Sequence, residues 1–111
     1  MARQIFLLDL KDEALAAEYE RWHRPGNVPA RVLADIGASG ITSMEIYRTG
    51  SRLVMVAETA GDEPPAVRTG SDESKAWEAQ MNTYQQPLPW SPPGVKWQPA
   101  ELIFDLEDHL D

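Results

Sequence analysis

The hydrophobic period of this chain switches between strand and helix four times in 111 residues, and that alternation limits the folds open to it. Residues 3–10, RQIFLLDL, read as a strand. Leu7 and Leu8 fall on opposite sides of it, so cover is expected on both. Asp12 is a plausible N-cap for a helix running to about His23, whose Ala, Leu and Glu residues are good helix formers. Pro25 and Gly26 interrupt it, and a second helical piece follows at about 28–37. The runs 41–48, ITSMEIYR, and 52–59, RLVMVAET, are β-rich, and Thr49-Gly50-Ser51 between them reads as a hairpin turn. Residues 60–71 read mainly as loop. A helix is expected at about 72–85, capped by Ser71 or Asp72, with Trp77, Met81 and Tyr84 at i, i+4, i+7. Five prolines between 87 and 99 mark an ordered but irregular crossing, and 100–106, AELIFDL, reads as the last strand.

Strand, helix, hairpin, helix, strand is the βαββαβ order of an α+β, ferredoxin-like sandwich. Such a fold covers one sheet face with helices and leaves the other open. In 52–59, Leu53 and Met55 point one way, Val54 and Val56 the other, so neither face can be left in water without cost. A homodimer of the dimeric α+β barrel type is therefore expected. The length fits a single domain, 1–111. A chain of this size buries roughly two-thirds of its unfolded surface, which supports one core but no thick-walled private pocket. A second subunit would help to enclose a small ligand.

Composition removes several classes. There is no cysteine, so disulfides, thiolate catalysis and Cys-based zinc sites are excluded. The formal net charge is −8 and the ten Lys and Arg are scattered, which argues against a nucleic-acid partner. An uncharged ligand is indifferent to that charge. No run approaches the roughly 20 apolar residues of a membrane span. The opening MARQIFLLDLKDE lacks the pattern of a signal peptide, so a cytoplasmic protein is expected. The acidic end from Asp105 to Asp111 has no metal-loop spacing and reads as a solvated tail.

Tyr19 and His23 are four apart on the first expected helix, hence one turn apart on one face. An imidazole trades protons near neutral pH, and a phenol beside it can donate to or orient a sugar oxygen. On a purely structural reading, Tyr19 joins a buried stripe and His23 only ends the helix. Trp22, Trp77, Trp90 and Trp97 make the chain tryptophan-rich; flat rings pack on the apolar C–H face of a pyranose, though core packing should claim at least two of them. Trp77 reads as buried by helix periodicity, whereas Trp90 and Trp97 flank the proline-rich loop. Asp9, Glu45 and Glu101 are strand carboxylates that either face a cleft, where sugar hydroxyls would partner them, or turn to solvent.

Taken together, these stretches resemble the L-rhamnose mutarotase family, and especially its L-fucose mutarotase-like branch. The resemblance rests on LDLKDEALAAEYERWHRPGNV (8–28), Gly-Ile-x-x-Met-x-Ile-Tyr (40–47), RLVMVAE (52–58), KAWEAQMNTYQQPLP (75–89) and PPGVKWQPAELIFDL (92–106), nearly the whole chain. It implies a ferredoxin-like dimer that needs no cofactor and interconverts the α and β anomers of a 6-deoxy-L-hexose, L-fucose or L-rhamnose. It also implies that His23 is the proton donor, that Tyr19 contacts the sugar, and that Trp77 is the sugar-contacting tryptophan of the second long helix. The rhamnose enzymes carry a Trp-Trp pair where this chain has Trp77-Glu78, and a Tyr where it has Met44. Both departures favour the fucose-like branch. Glu45 or Glu101 would hold hydroxyls or orient the imidazole, and Trp97 would line the site. Two other readings share the architecture: a dimeric α+β barrel monooxygenase acting on haem or aromatic polyketides, and a non-catalytic sugar-binding dimer.

Overall fold

The opening strand is the centre of the sheet. In the computed structural model, which describes residues 2–61 and 71–110, β1 (Ala2–Leu10) pairs antiparallel with β3 (Arg52–Thr59), from Ala2↔Thr59 to Asp9↔Arg52. The outer edge of β3 carries β2 (Ile41–Thr49), also antiparallel. The other edge of β1 takes two short pieces: β4 (Gln85–Gln86) opposite Asp9–Leu10, and β5 (Gln98–Ala100) opposite Ile5–Leu7. The proline-rich crossing leaves the edge after β4 and returns to it at β5. The spatial order β2-β3-β1-β4 is that of a ferredoxin-like sheet, with its last strand split in two.

Three helices complete the α+β fold: α1 (Ala16–Trp22), α2 (Ala30–Ala38) and α3 (Asp72–Asn82). The expected helix from Asp12 is present in two parts. Asp12 Oδ1 accepts from the Ala14 N–H at 2.9 Å and caps a 3-10 turn, Glu13–Leu15, that runs into α1. Ser71 is the cap of α3, its hydroxyl accepting from the Ser74 N–H. The helix stops at Asn82, not 85, because Tyr84 O accepts from the Lys11 N–H at 2.7 Å and turns the next two residues onto β1. The hairpin places Gly50 and Ser51 between the paired Thr49 and Arg52. Gly50 has φ +59° and Ser51 does not share the positive φ, the signature of a II′ turn with glycine first.

Antiparallel register sorts the side chains. Leu8, Leu53 and Arg48 share one face with Gln4, Ala57 and Met44. This is the helix-facing side, since Arg48 Nε bonds Glu20 of α1 at 2.7 Å. Leu10 and Leu53 pack there with Ala16, Tyr19, Met81 and Tyr84 as the core, and Leu15, Trp22, Trp77 and Trp97 lean on it. Burying each such leucine contributes about 1.5–3 kcal/mol. The opposite face shows Ile5, Leu7, Val54 and Val56, all half-buried in the single chain.

The strand expected at 100–106 is corrected. Pairing with β1 covers 98–100 and ends at Ala100. Beyond it Leu102, Ile103 and Phe104 are exposed, Ile103 by 93%. The apolar run there records a need for cover that one chain does not meet. The segment read as loop, 60–71, lies mostly outside the described residues. No helix among the described residues is long and apolar enough to cross a membrane.

Candidate active site

The last turn of α1 builds the site. The His23 N–H turns in to Glu20 O at 3.0 Å, so Tyr19 O keeps no backbone donor from that residue. The imidazole takes its place: Nδ1–H donates to Tyr19 O at 2.7 Å. This bond puts the proton on Nδ1 in the neutral ring and leaves the Nε2 lone pair free. The ring lies tilted on Tyr19, centroids 4.4 Å apart, and edge-on to Trp77 at 5.4 Å. His23 is half-buried, neither sealed in the core nor in bulk water.

Tyr19 is 3% exposed, edge-on to Tyr84 at 6.0 Å. Gln85 Nε2 donates to its hydroxyl oxygen at 2.8 Å. Burial pushes the phenol up to about 12; the Gln85 bond opposes the rise and the charge of Glu78 adds to it. Tyr19 is thus a neutral O–H donor at any physiological pH. Glu78, one residue from Trp77, is tied to Lys96 Nζ at 2.8 Å, which fastens the proline-rich crossing to α3.

Of the residues singled out in the sequence, His23, Tyr19 and Trp77 come together, and Trp97 packs on the same cluster. Trp77 is half-buried and not enclosed. Met44 lies half-buried on the helix-facing side of β2, opposite Ala57. Glu45 is on the other sheet face, exposed, accepting from Tyr47 O–H at 3.1 Å. Glu101 is exposed with no hydrogen bond or ion pair among the described residues. Trp90 is 63% exposed, under the Arg52 guanidinium, which also grips Asp9 through two bonds of 2.9 and 3.2 Å. Gln85 carries no signal in the sequence, where it falls at the expected end of a helix; its contact with Tyr19 spans 66 positions.

Two cavities border the cluster. One, of about 230 Å³, is lined by Gln85, Gln86, Gly94 and Lys96 among others; the second, about 240 Å³, by Arg21, Trp22 and Asn27. Neither is lined by His23. Among the described residues no group of three or more acidic or histidine side chains could hold a metal.

A helix-end imidazole with a fixed tautomer, a buried neutral phenol and flanking indoles on a ferredoxin-like sheet form an arrangement that can exchange protons with, and stack against, a polar, flat-faced ligand. The model of the family described as L-rhamnose mutarotase matches residues 3–106. The chain is similar to an L-fucose mutarotase of Xanthomonas campestris pv. campestris, 44% identical over 113 residues that span 97% of this chain and 90% of that one. It is also similar to a protein of Dictyostelium discoideum whose name states no activity, 29% identical over 109 residues, 90% of this chain and 86% of that one. The chain belongs to the L-rhamnose mutarotase family. It is a sugar mutarotase, an isomerase that interconverts the anomers of a 6-deoxy-L-hexose by opening and reclosing the ring.

Proposed function

We propose that the preferred sugar is L-fucose, that His23 is its acid/base group, and that Tyr19 is the neutral donor beside it. The observation that carries the residue assignment is the Nδ1–H bond to Tyr19 O, which leaves Nε2 as the atom able to exchange a proton with a ligand. The sugar preference is supported by the 44% identity to an L-fucose mutarotase and by Glu78 and Met44 at the two positions that depart from the rhamnose pattern.

The chemistry needs few parts. In the opening step the C1–O5 bond breaks, its electron pair stays on O5, and O5 takes a proton from protonated His23 Nε2. The O1–H proton leaves to solvent as C1=O1 forms. Rotation about C1–C2 presents the other carbonyl face, and the reverse steps close the ring. Tyr19 O–H donates to a sugar oxygen and holds the reacting carbon near the imidazole, while Trp77 and Trp97 supply apolar surface. Glu45, on the sheet face away from the helices, and Glu101, exposed, receive no role in this scheme. Positioned proton transfer of this kind contributes about 10²–10⁴-fold.

The protein works as a homodimer in this reading. The exposed 102–106 segment and the half-buried open face of the sheet are the surfaces a second copy would cover.

Saturation-transfer NMR on L-fucose, L-rhamnose and D-glucose reads anomer exchange directly. Exchange is expected to be fastest for L-fucose and little enhanced for D-glucose. His23→Ala should return L-fucose to the spontaneous rate with the fold intact. Exchange at the original rate in that variant would remove His23 from the mechanism, and faster exchange on L-rhamnose would overturn the sugar preference.

A further inference from the structure

Gln85 takes no part in the scheme above, yet its side chain is 7% exposed in the middle of the cluster. Pairing of Gln85 with Leu10 fixes its backbone on the edge of β1, beneath α1. From there Nε2–H donates to the Tyr19 hydroxyl oxygen at 2.8 Å. A phenol has one proton to give and lone pairs to accept with. The bond to Gln85 uses the accepting side. Among the described residues no acceptor takes the Tyr19 proton. A buried O–H without an internal acceptor needs one from outside, and a sugar oxygen is such an acceptor.

The other end of the amide points the same way. Gln85 Oε1 is buried with no partner among the described residues. An amide with one end unpaired is a poor packing residue, since a leucine of similar volume would leave no orphaned oxygen. Its presence is explained by what the donating end does.

We propose that Gln85 is a positioning residue of the isomerisation: by donating to the Tyr19 hydroxyl it commits that hydroxyl to give its own proton to the bound sugar, beside His23 Nε2. The proposal rests on the Tyr19–His23 reading of the site.

Two variants test it, with L-fucose exchange followed by saturation-transfer NMR. Gln85→Leu keeps the volume and removes the donor. Gln85→Glu replaces the donor by an acceptor at neutral pH and restores an O–H donor when the introduced carboxyl is protonated. Both should slow exchange at saturating sugar about tenfold, the value of one neutral hydrogen bond, with the half-saturating concentration little moved. The rate of Gln85→Glu relative to the native chain at the same pH should recover as pH falls. The titratable groups around residue 85 are Tyr19, which it bonds, His23 and Glu78 next to Tyr19, and Lys96 on the shared cavity; Gln85→Leu, run at each pH, gives the uncharged reference for them. A purely structural Gln85 would make the rate of Gln85→Glu follow its denaturation midpoint across pH, whereas the proposed role slows exchange at a pH where that midpoint is unchanged. Full activity in Gln85→Leu overturns the proposal, as does full activity of Gln85→Glu at neutral pH, which would mean that the phenol gives its proton to residue 85. Tyr19→Phe run alongside separates the two levels. If it exchanges at the native rate, the underlying reading fails; if it is slow while Gln85→Leu is not, the role of Gln85 alone fails.

Discussion

Tyr19, the neutral donor of the proposed scheme, also carries part of the chain's stability. Its phenol is held at about 12 in the folded chain, by burial first, against an ordinary value of 10.0. The unfolded chain therefore loses this proton from about pH 10 upward, while the folded chain keeps it until about 12. The folded state binds the extra proton in that window, so stability is undiminished below pH 10 and falls as pH rises from 10 to 12. Two units correspond to about 3 kcal/mol. Tyr19→Phe should abolish that part of the alkaline loss, seen as a smaller fall in denaturation midpoint between pH 10 and 12 than the native chain shows. Equal falls in the two chains would mean that the phenol is not held that way. At neutral pH the same variant should slow anomer exchange, because the ring stays and the donor goes.

Among the elements, α2 and α3 are joined by one carboxylate. Asp35 of α2 accepts from the Ser71 and Ser74 hydroxyls at 2.6 Å each and from the Ser71 N–H at 3.1 Å. These donors, with Arg31 on the other oxygen, hold its carboxyl well below the usual carboxylate range. A depressed value means that the stabilisation is present above the ordinary pKa of about 3.9 and is lost as pH falls below it. Asp35→Asn should lower the melting temperature at pH 7, and the gap to the native chain should close in acid. Ser71→Ala removes both the α3 cap and a donor to Asp35, and a loss of about 1–2 kcal/mol is expected from chemical denaturation. Trp77 and Glu78 ride on α3, so loosening its first turn should also lower mutarotase activity more than it lowers secondary structure.

At the scale of the molecule, the largest unmet demand is apolar surface. Leu102, Ile103, Phe104 and Leu106 stand exposed in a row, and the open face carries Ile5, Leu7, Val54 and Val56. A dimer interface of standard size, about 1,600 Å² in total, would cover both. Ile103→Asp should convert a dimer to a monomer in sedimentation velocity while leaving the stability of the single chain nearly unchanged, because the side chain is 93% exposed there. A native chain that sediments as a monomer at micromolar concentration would remove the proposed assembly.

What the sequence determined by itself is what short range controls. The order of elements, a hairpin turn at Thr49–Ser51, a cap at Ser71 or Asp72 and the one-turn spacing of Tyr19 and His23 each follow from residues fewer than five apart, where backbone sterics and helix geometry act directly. The tertiary structure decided what depends on distant partners. It split the edge of β1 between Gln85–Gln86 and Gln98–Ala100, turned Glu45 away from the imidazole, and brought Gln85 to a phenol 66 positions earlier. It also left Leu102, Ile103, Phe104 and Leu106 uncovered, although the apolar run there reads as a strand. Period shows which side chains need burial or pairing; the partner that meets the need is fixed by packing between elements, and local pattern carries no record of it.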